Sequence, residues 1–205
     1  MPRTIDHEER RQRIGEAVWR IVLRDGVGAV SLRTVASEAD LVLGSLRHEL
    51  PDEDRVCSRS RWSLAHERAA ARVARHAAMR DPWRRTRAAL HEVMPLDDER
   101  RVEMRVHLAL MAESPAHERL AEFAAAAHDA IRGLCLDALT VLRDAGRVRA
   151  DLDLRRATDT LHALLDGLAL HAMYDPRRRR VAVRALDEHL ASLAPPVAGG
   201  GPSPV

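Results

Sequence analysis

Apolar residues recur at helical spacing along most of the chain, and turn residues divide this pattern into about nine helices. The first helix is predicted over residues 7–24. Ile14, Val18 and Ile21 share one of its faces, and a glycine follows at the position that ends many helices. About nine helices would take up most of the 205 residues, so too few residues remain for a β-sheet. The pattern therefore predicts an all-α fold.

A second, short helix is predicted to begin after Ser31, whose hydroxyl suits the N-cap position. Val30 and Val35 stand where they would pack together as a hydrophobic staple. Asp40 follows where the chain must turn, and aspartate is one of the few residues besides glycine that adopt left-handed backbone at modest cost. Leu41 is then expected to enter the core beneath the turn.

A third short helix follows this turn, with only Leu46 and Leu50 as strong core anchors, so most of its surface faces outward. Glycine inside a helix costs about 1 kcal/mol relative to alanine, and Gly44 on the outward side therefore indicates that a partner approaches closely. The alternative is a short packed helix that tolerates a poor helix former. Two helices joined by a tight turn, with the second presented outward, are typical of a helix-turn-helix unit.

The later helices begin at acidic residues or at a serine before proline. They are predicted at about residues 53–79, 82–93, 98–113, 115–145, 154–173 and 176–193. We divide the chain into an N-terminal three-helix helix-turn-helix domain over residues 1–50 and a larger helical body over 51–194. Residues 195–205 have no apolar pattern and are predicted to be disordered.

The composition narrows the classes of function. Of the 205 residues, 46% are apolar but only 2% are aromatic, so the core must come mainly from Ala, Leu and Val, which favours helices. The formal net charge of +2 is too small for a general polyanion binder, so a nucleic acid would be selected largely by geometry. Cys57 and Cys135 are predicted to be free thiols. No segment is long and apolar enough for a membrane span or a secretion signal, so we expect a cytoplasmic protein without a membrane partner.

Eleven histidines raise the question of a metal or catalytic centre. The sequence contains no metal-ligand motif, no nucleophile elbow and no phosphate-binding glycine loop. Glu103 and His107 stand four residues apart on one predicted helix, and we interpret them as a surface pair. We therefore predict that the protein is not an enzyme and has no catalytic residues, metal or cofactor.

Two stretches of the chain resemble the TetR family of transcriptional regulators. The first, VASEADLVLGSLRHELPDEDRV, is similar to the family's run A-x-x-A-G-V-S-x-G-x-L-Y-x-H-F-x-x-K. The matching residues are Ala36, Ala39, Leu41, Gly44, Leu46 and Leu50. The second, LHALLDGLALHAMYDP at residues 161–176, resembles the penultimate helix of many members. The resemblance implies a homodimeric DNA-binding repressor that reads a palindromic operator and is released when its helical body binds a small molecule.

The resemblance and the outward face of the third helix together predict the residues that contact double-stranded DNA. Arg47 and His48 are the strongest candidates, because arginine can fork onto a guanine edge and histidine can donate to phosphate or base. The predicted DNA-binding residues are Arg33, Thr34, Leu43, Gly44, Ser45, Arg47 and His48. The arginines near the start of the chain, including Arg13, are either phosphate contacts or part of a solvated charge run.

The chain departs from the family pattern in ways that bear on DNA binding. Val42 stands where a serine caps the recognition helix, Arg47 where the family has tyrosine, and Glu49 and Glu53 replace residues that donate to DNA. Residues 40–56 hold two arginines and five acidic residues, a formal charge of −3. Phosphate neutralisation supplies much of the affinity for DNA. The alternative function is a TetR-like helical dimer that has lost operator binding and acts as a ligand-binding or protein-interaction module.

The last two predicted helices are rich in leucine and would form a four-helix bundle with the same helices of a second chain. The alternative is that this apolar seam packs within one chain. The predicted dimer-interface residues are Leu161, Leu164, Leu165, Gly167, Leu168, Leu186 and Leu190.

The bulky side chains and histidines of the body either fill its core or line a cavity. Core packing is the simpler interpretation for any one of them, whereas the group as a whole predicts a pocket for a small apolar or aromatic effector. The predicted ligand-binding residues are Trp62, His66, Trp83, Met104, His107, Met111, Phe123 and His128.

Overall fold

The computed structural model describes residues 7–44, 46, 65–116 and 118–196. Over these residues the chain forms helices and turns and no strand, which confirms the all-α prediction. The complete helices are α1 (His7–Asp25), α2 (Leu32–Glu38), α3 (Pro82–His91), α4 (Asp98–Glu113), α5 (Glu118–Asp144), α6 (Leu154–Tyr174) and α7 (Arg178–Ser192). Residues 65–75 are also helical, and short 3-10 turns lie at Val27–Ala29 and Ser114–Ala116. The predicted helix ends at residues 50–64 and the tail at 197–205 lie outside the described residues.

Aspartate side chains cap the starts of three helices. Asp81, Asp97 and Asp153 each accept a hydrogen bond from the backbone amide three residues later, at 2.8, 2.8 and 3.2 Å. The carboxylate satisfies an amide that has no partner within the helix and complements the positive end of the helix dipole. The caps at Asp81 and Asp97 agree with the helix starts that the sequence predicts.

Ser114 corrects the predicted start of the next helix. Its backbone amide donates to the Leu110 carbonyl, and its hydroxyl donates to the Met111 carbonyl at 3.0 Å. Ser114 therefore ends α4 and is not the N-cap of α5. A 3-10 turn follows, and α5 begins at Glu118.

The chain divides into two compact units. Unit 1 comprises residues 1–71 and 97–128, and unit 2 comprises residues 72–96 and 129–205. The core of unit 1 joins α1, α2 and α4 to Leu46 and Ala65. Its buried residues are Ile14, Val18, Trp19, Ile21, Val22, Leu32, Val35, Ala36, Leu46, Ala65, Val102 and Val106.

Arg68 ties three elements of unit 1 together. Its guanidinium lies 4.6 Å from the centre of the Trp19 ring on α1, and its Nη1 lies 3.2 Å from the Glu99 carboxylate on α4. The attraction between a guanidinium and an aromatic face adds to the stabilisation that burial of the ring provides. Within unit 1, the helical residues 65–71 are therefore fastened to both α1 and α4.

Unit 2 is built around the leucines of α5, α6 and α7, to which α3 contributes Leu90. The largest side chains of this core are completely covered; they are Leu90, Met94, Leu139, Leu142, Leu161, Leu165, Leu186 and Leu190. Arg87 of α3 forms two hydrogen bonds to the Asp187 carboxylate of α7, which fastens these two helices at the edge of the core.

Candidate functional site

The start of α2 is fixed by a capping box. The Ser31 hydroxyl accepts a hydrogen bond from the Thr34 amide at 3.2 Å, and the Thr34 hydroxyl oxygen accepts one from the Ser31 amide at 2.9 Å. The Thr34 hydroxyl also donates to the Ala29 carbonyl at 2.9 Å. The predicted cap at Ser31 is confirmed, and the Thr34 side chain holds the helix start together. Arg33, beside it, is exposed.

The end of α2 turns sharply through Asp40, which adopts a left-handed backbone with φ of 52°. The Leu41 amide donates to the Ala36 carbonyl at 2.9 Å, and the Asp40 amide lies 3.4 Å from the Ser37 carbonyl. These contacts form a Schellman motif, in which glycine is the usual residue at the left-handed position. Leu41 packs against the core of unit 1, as the sequence predicts.

The next helix begins immediately after Val42. The Leu46 amide donates to the Val42 carbonyl at 3.1 Å, so Val42 holds the N-cap position although its side chain has no acceptor. Leu46 is fully buried and Leu43 packs against the same core, whereas Gly44 is exposed. A Cβ at Gly44 would meet no atom within 4 Å, so another molecule has room to approach.

Three of the predicted DNA-binding residues lie outside the described residues or have undescribed side chains; they are Ser45, Arg47 and His48. Their contact with DNA stays a prediction, as does that of Leu43 and Gly44. Val42, two positions before Gly44, is not among the predicted DNA-binding residues, and its side chain is 76% exposed. An exposed apolar side chain at the start of such a helix is suited to contact a thymine methyl group.

The predicted effector residues are divided between the two units. Met104, His107, Met111 and Phe123 are half-buried and belong to unit 1, as do the exposed His66 and His128. Trp83 belongs to unit 2, where it packs against the leucine core. Trp62 lies outside the described residues. Binding of an effector by these side chains stays a prediction.

Glu103 corrects the interpretation of a surface pair with His107. Its exposed fraction is only 9%, and its neighbours on the same face of α4, Val102 and Val106, belong to the core of unit 1. A carboxylate is costly to bury unless it has a polar partner. This burial could not be predicted from the sequence, because the spacing of Glu103 relative to the apolar residues also fits the edge of an exposed face.

Four of the predicted dimer-interface residues are covered by their own chain. Leu161, Leu165, Leu186 and Leu190 are at most 2% exposed and pack in the core of unit 2. Their side chains therefore cannot form the contact with a second chain, and this part of the prediction is wrong.

The outward side of the same helices carries a different set of apolar residues. On α6, Ala163, Leu170 and Tyr174 are exposed, with Leu170 at 40% and Tyr174 at 81%. Gly167 lies between them, half-buried, and an added Cβ there would meet no atom within 4 Å. Val181 of α7 is 50% exposed. Leu164 and Leu168 are half-buried and, like Gly167, stay predicted interface residues.

Cys135 is a free thiol buried in unit 2, as predicted, and Cys57 lies outside the described residues. Burial, and to a lesser extent the Asp166 carboxylate, raises the pKa of Cys135 to about 12. The thiolate is the reactive form of cysteine, so Cys135 is unsuited to nucleophilic chemistry at neutral pH.

Among the residues that the structure describes, no group of three or more His, Cys, Asp or Glu side chains is arranged to hold a metal ion. None of the described helices combines the length and the apolar character that crossing a membrane requires.

Comparison with known proteins gives consistent matches. The sequence model for the C-terminal region of BetI-type transcriptional repressors matches residues 82–195. The HTH-type transcriptional regulator PksA of Bacillus subtilis (strain 168) is 34% identical over 197 residues, which cover 94% of each chain.

Solved structures match over nearly the whole chain. The multidrug binding protein EbrR complexed with imidazole is 30% identical, with a TM-score of 0.66 over 97% of this chain and 96% of that one. A TetR transcription regulator from Haloarcula marismortui ATCC 43049 has a TM-score of 0.77 over 92% of this chain and 100% of that one. At 17% identity, this last similarity concerns the fold alone.

Proposed function

Because the chain belongs to the TetR family of transcriptional regulators, we propose that it is a homodimeric DNA-binding repressor, released from a palindromic operator by a small-molecule ligand. In this proposal residues 1–50 bind DNA, and residues 51–194 bind the effector and a second chain. The observation that carries it is the geometry of residues 31–46. A capped helix, a left-handed turn and a second helix with an open outer side are the parts that a helix-turn-helix needs to enter a major groove.

The proposed DNA contacts differ in which groups of each residue are exposed and which are already hydrogen-bonded within the protein. Arg33 is exposed beside the capped start of α2, where amides and arginine together suit a phosphate. Gly44 leaves space for close approach, and Val42 adds an apolar contact. Thr34 contributes through the position of its helix, since its hydroxyl already has partners.

We place the contact between two chains on the outer stripe of α6, defined as Ala163, Gly167, Leu170 and Tyr174. These residues are spaced at four, three and four positions, so they lie along one side of the helix. An exposed apolar stripe of this kind is typical of a protein contact surface. The open space beside Gly167 lets a second helix approach closely.

The proposed effector is a small apolar or aromatic compound bound among the half-buried residues of unit 1. Met104, His107 and Met111 lie on α4, and Phe123 lies near the start of α5. Flexible methionines and a few polar groups are typical of such sites. EbrR has been solved with imidazole, which supports a search among small aromatic compounds.

The second candidate function is a ligand-binding or protein-interaction module that has lost operator binding. It is favoured by the start of the helix that begins at Leu43, called here the outward helix. Val42 holds its N-cap position, but a valine side chain cannot accept a hydrogen bond from an amide of the first helical turn. The formal charge of −3 over residues 40–56 also weakens attraction to phosphate.

Selection from a random-sequence duplex library with the purified full-length protein separates the two functions. A repressor enriches an inverted repeat, because two-fold symmetry in the protein requires two-fold symmetry in the site. Imidazole and other small aromatic compounds are then titrated into the complex with the enriched duplex, and an effector releases it. If repeated rounds enrich no duplex, operator binding is excluded and the second function stands.

A further inference from the structure

Three arginines of α1 converge on the last turn of α2. Arg13 Nη2 donates to the Ala39 carbonyl at 2.9 Å. Arg20 Nη2 donates to the Glu38 carbonyl at 3.2 Å, and its Nε donates to the Glu38 carboxylate at 2.8 Å. Arg24 Nη1 donates to the other carboxylate oxygen at 3.0 Å. One helix thus holds both the backbone and the side chain at the end of the other.

These contacts complete the hydrogen bonding of a helix end. The last four carbonyls of a helix have no partner within it. In the turn, the Asp40 amide lies near the Ser37 carbonyl and the Leu41 amide donates to the Ala36 carbonyl, which are the two earlier of these four carbonyls. The two that remain, on Glu38 and Ala39, are those that the arginines reach. The end of α2 is therefore closed half by its own turn and half by α1.

The arginines do more to orient α2 than to stabilise it. Arg20 and Arg24 are 50% and 60% exposed, and exposed ion pairs contribute little to stability. The hydrogen bonds from Arg20 and Arg24 hold the pKa of Glu38 below its ordinary value, so this carboxylate stays ionised at neutral pH. With seven residues, α2 is too short to keep its geometry without outside contacts.

The held residues stand directly before the turn. Glu38 and Ala39 precede Asp40, whose left-handed backbone is strained for a residue with a Cβ. Leu43, which begins the outward helix, follows three residues later. A rotation at the end of α2 would therefore change the direction of the helix that begins at Leu43, because the connection between them is short.

We propose that Arg13, Arg20 and Glu38 are positioning residues for DNA recognition, which set the angle at which the outward helix leaves α2. This inference rests on the proposed DNA-binding function. In this proposal Arg13 holds the end of α2 through the Ala39 carbonyl. It does not contact a phosphate, which was one of the two alternatives that the sequence allowed.

The test compares Arg13→Ala and Arg20→Ala with the unchanged full-length protein on the enriched duplex, by fluorescence anisotropy over a series of NaCl concentrations. Arg132→Ala is the matched control, because Arg132 forms an exposed ion pair with Asp159 at 2.9 Å within unit 2. We expect each α1 variant to lose affinity about tenfold, and the control to lose none.

The salt dependence separates positioning from direct contact. The slope of log affinity against log salt counts neutralised phosphates, and loss of one phosphate-binding arginine reduces it by about one. We expect the slopes of Arg13→Ala and Arg20→Ala to equal that of the unchanged protein. A reduced slope would overturn the proposal in favour of phosphate contact, and unchanged affinity would overturn it in favour of no role.

Asp40→Gly separates positioning from simple stabilisation. Glycine relieves the strain of the left-handed turn, so adding it to Arg20→Ala should offset the small loss of stability that Arg20→Ala causes, measured as the melting temperature. We expect the affinity for DNA to stay low in this double variant. Recovery of affinity together with stability would overturn the positioning role. Failure of the unchanged protein to bind any duplex would instead remove the proposed function, and the inference with it.

Discussion

α2 and α6 are held in place by different means. α2 has seven residues, three of them buried, and specific hydrogen bonds fasten both of its ends. α6 has 21 residues, and an inner row of buried side chains holds it along its length. Hydrogen bonds at a helix end depend on the identity of single residues, whereas burial along a helix depends on which side faces the core. α2 should therefore be most sensitive to substitution at its ends, and α6 in its middle.

The largest effect is expected from the inner row of α6. Leu165→Ala removes a side chain that is 2% exposed and leaves a cavity in the core of unit 2. We expect a loss of about 2–5 kcal/mol in the free energy of unfolding, measured by urea denaturation. Leu170→Ala, on the outer side at 40% exposure, is the control and should cost less than about 1 kcal/mol. Equal losses in the two variants would contradict the assignment of Leu165 to the buried side of α6 and of Leu170 to its exposed side.

A smaller effect is expected from the outer stripe, and it concerns association. Leu170→Glu places a charge on the proposed contact between two chains, so we expect the dimer dissociation constant to rise at least tenfold, about 1.4 kcal/mol. Sedimentation velocity over a dilution series measures this change. Leu23→Glu, on α1 at 50% exposure, is the control for adding a charge at an exposed leucine. A dimer that tolerates Leu170→Glu as well as Leu23→Glu would require another interface.

The smallest effect is expected at a helix end, and it is a gain. Val42→Ser supplies a side-chain acceptor at the N-cap of the outward helix, where the Val42 carbonyl already accepts the first helical hydrogen bond. We expect an increase of about 1 kcal/mol in the free energy of unfolding, seen as a higher urea midpoint. Val42→Ala removes the exposed apolar group without adding a cap and should give no gain. If both variants behaved alike, the cap would not be the cause.

The difference between hydrogen bonds at a helix end and burial along a helix also explains which features could be predicted from the sequence. The cap at Ser31 and the left-handed turn at Asp40 follow from the chemistry of one or two residues, so both are readable without tertiary information. Leu161 and Leu170 are the same amino acid on one helix, and only the positions of α5 and α7 decide which of them is covered. The predicted interface used the inner leucines for this reason.

The candidate sites were predictable to different degrees. The resemblance to TetR regulators located the helix-turn-helix, because its turn and core residues follow a fixed spacing. The contact between Arg20 and Glu38 was not visible in the sequence, since it joins residues 18 positions apart. The burial of Glu103 was equally hidden, because helical spacing alone does not show where the edge of a buried face lies.

The proposed dimeric repressor is tested by changing the spacing of the half-sites in the enriched inverted repeat and measuring the affinity of the full-length protein for it. Inserting about 5 base pairs turns one half-site to the opposite side of the duplex, so a rigid dimer can no longer engage both. We expect fluorescence anisotropy to show two chains bound per original duplex and a loss of affinity of at least about tenfold on the altered one. Equal affinity for both duplexes would contradict a dimer that presents two outward helices at a fixed separation.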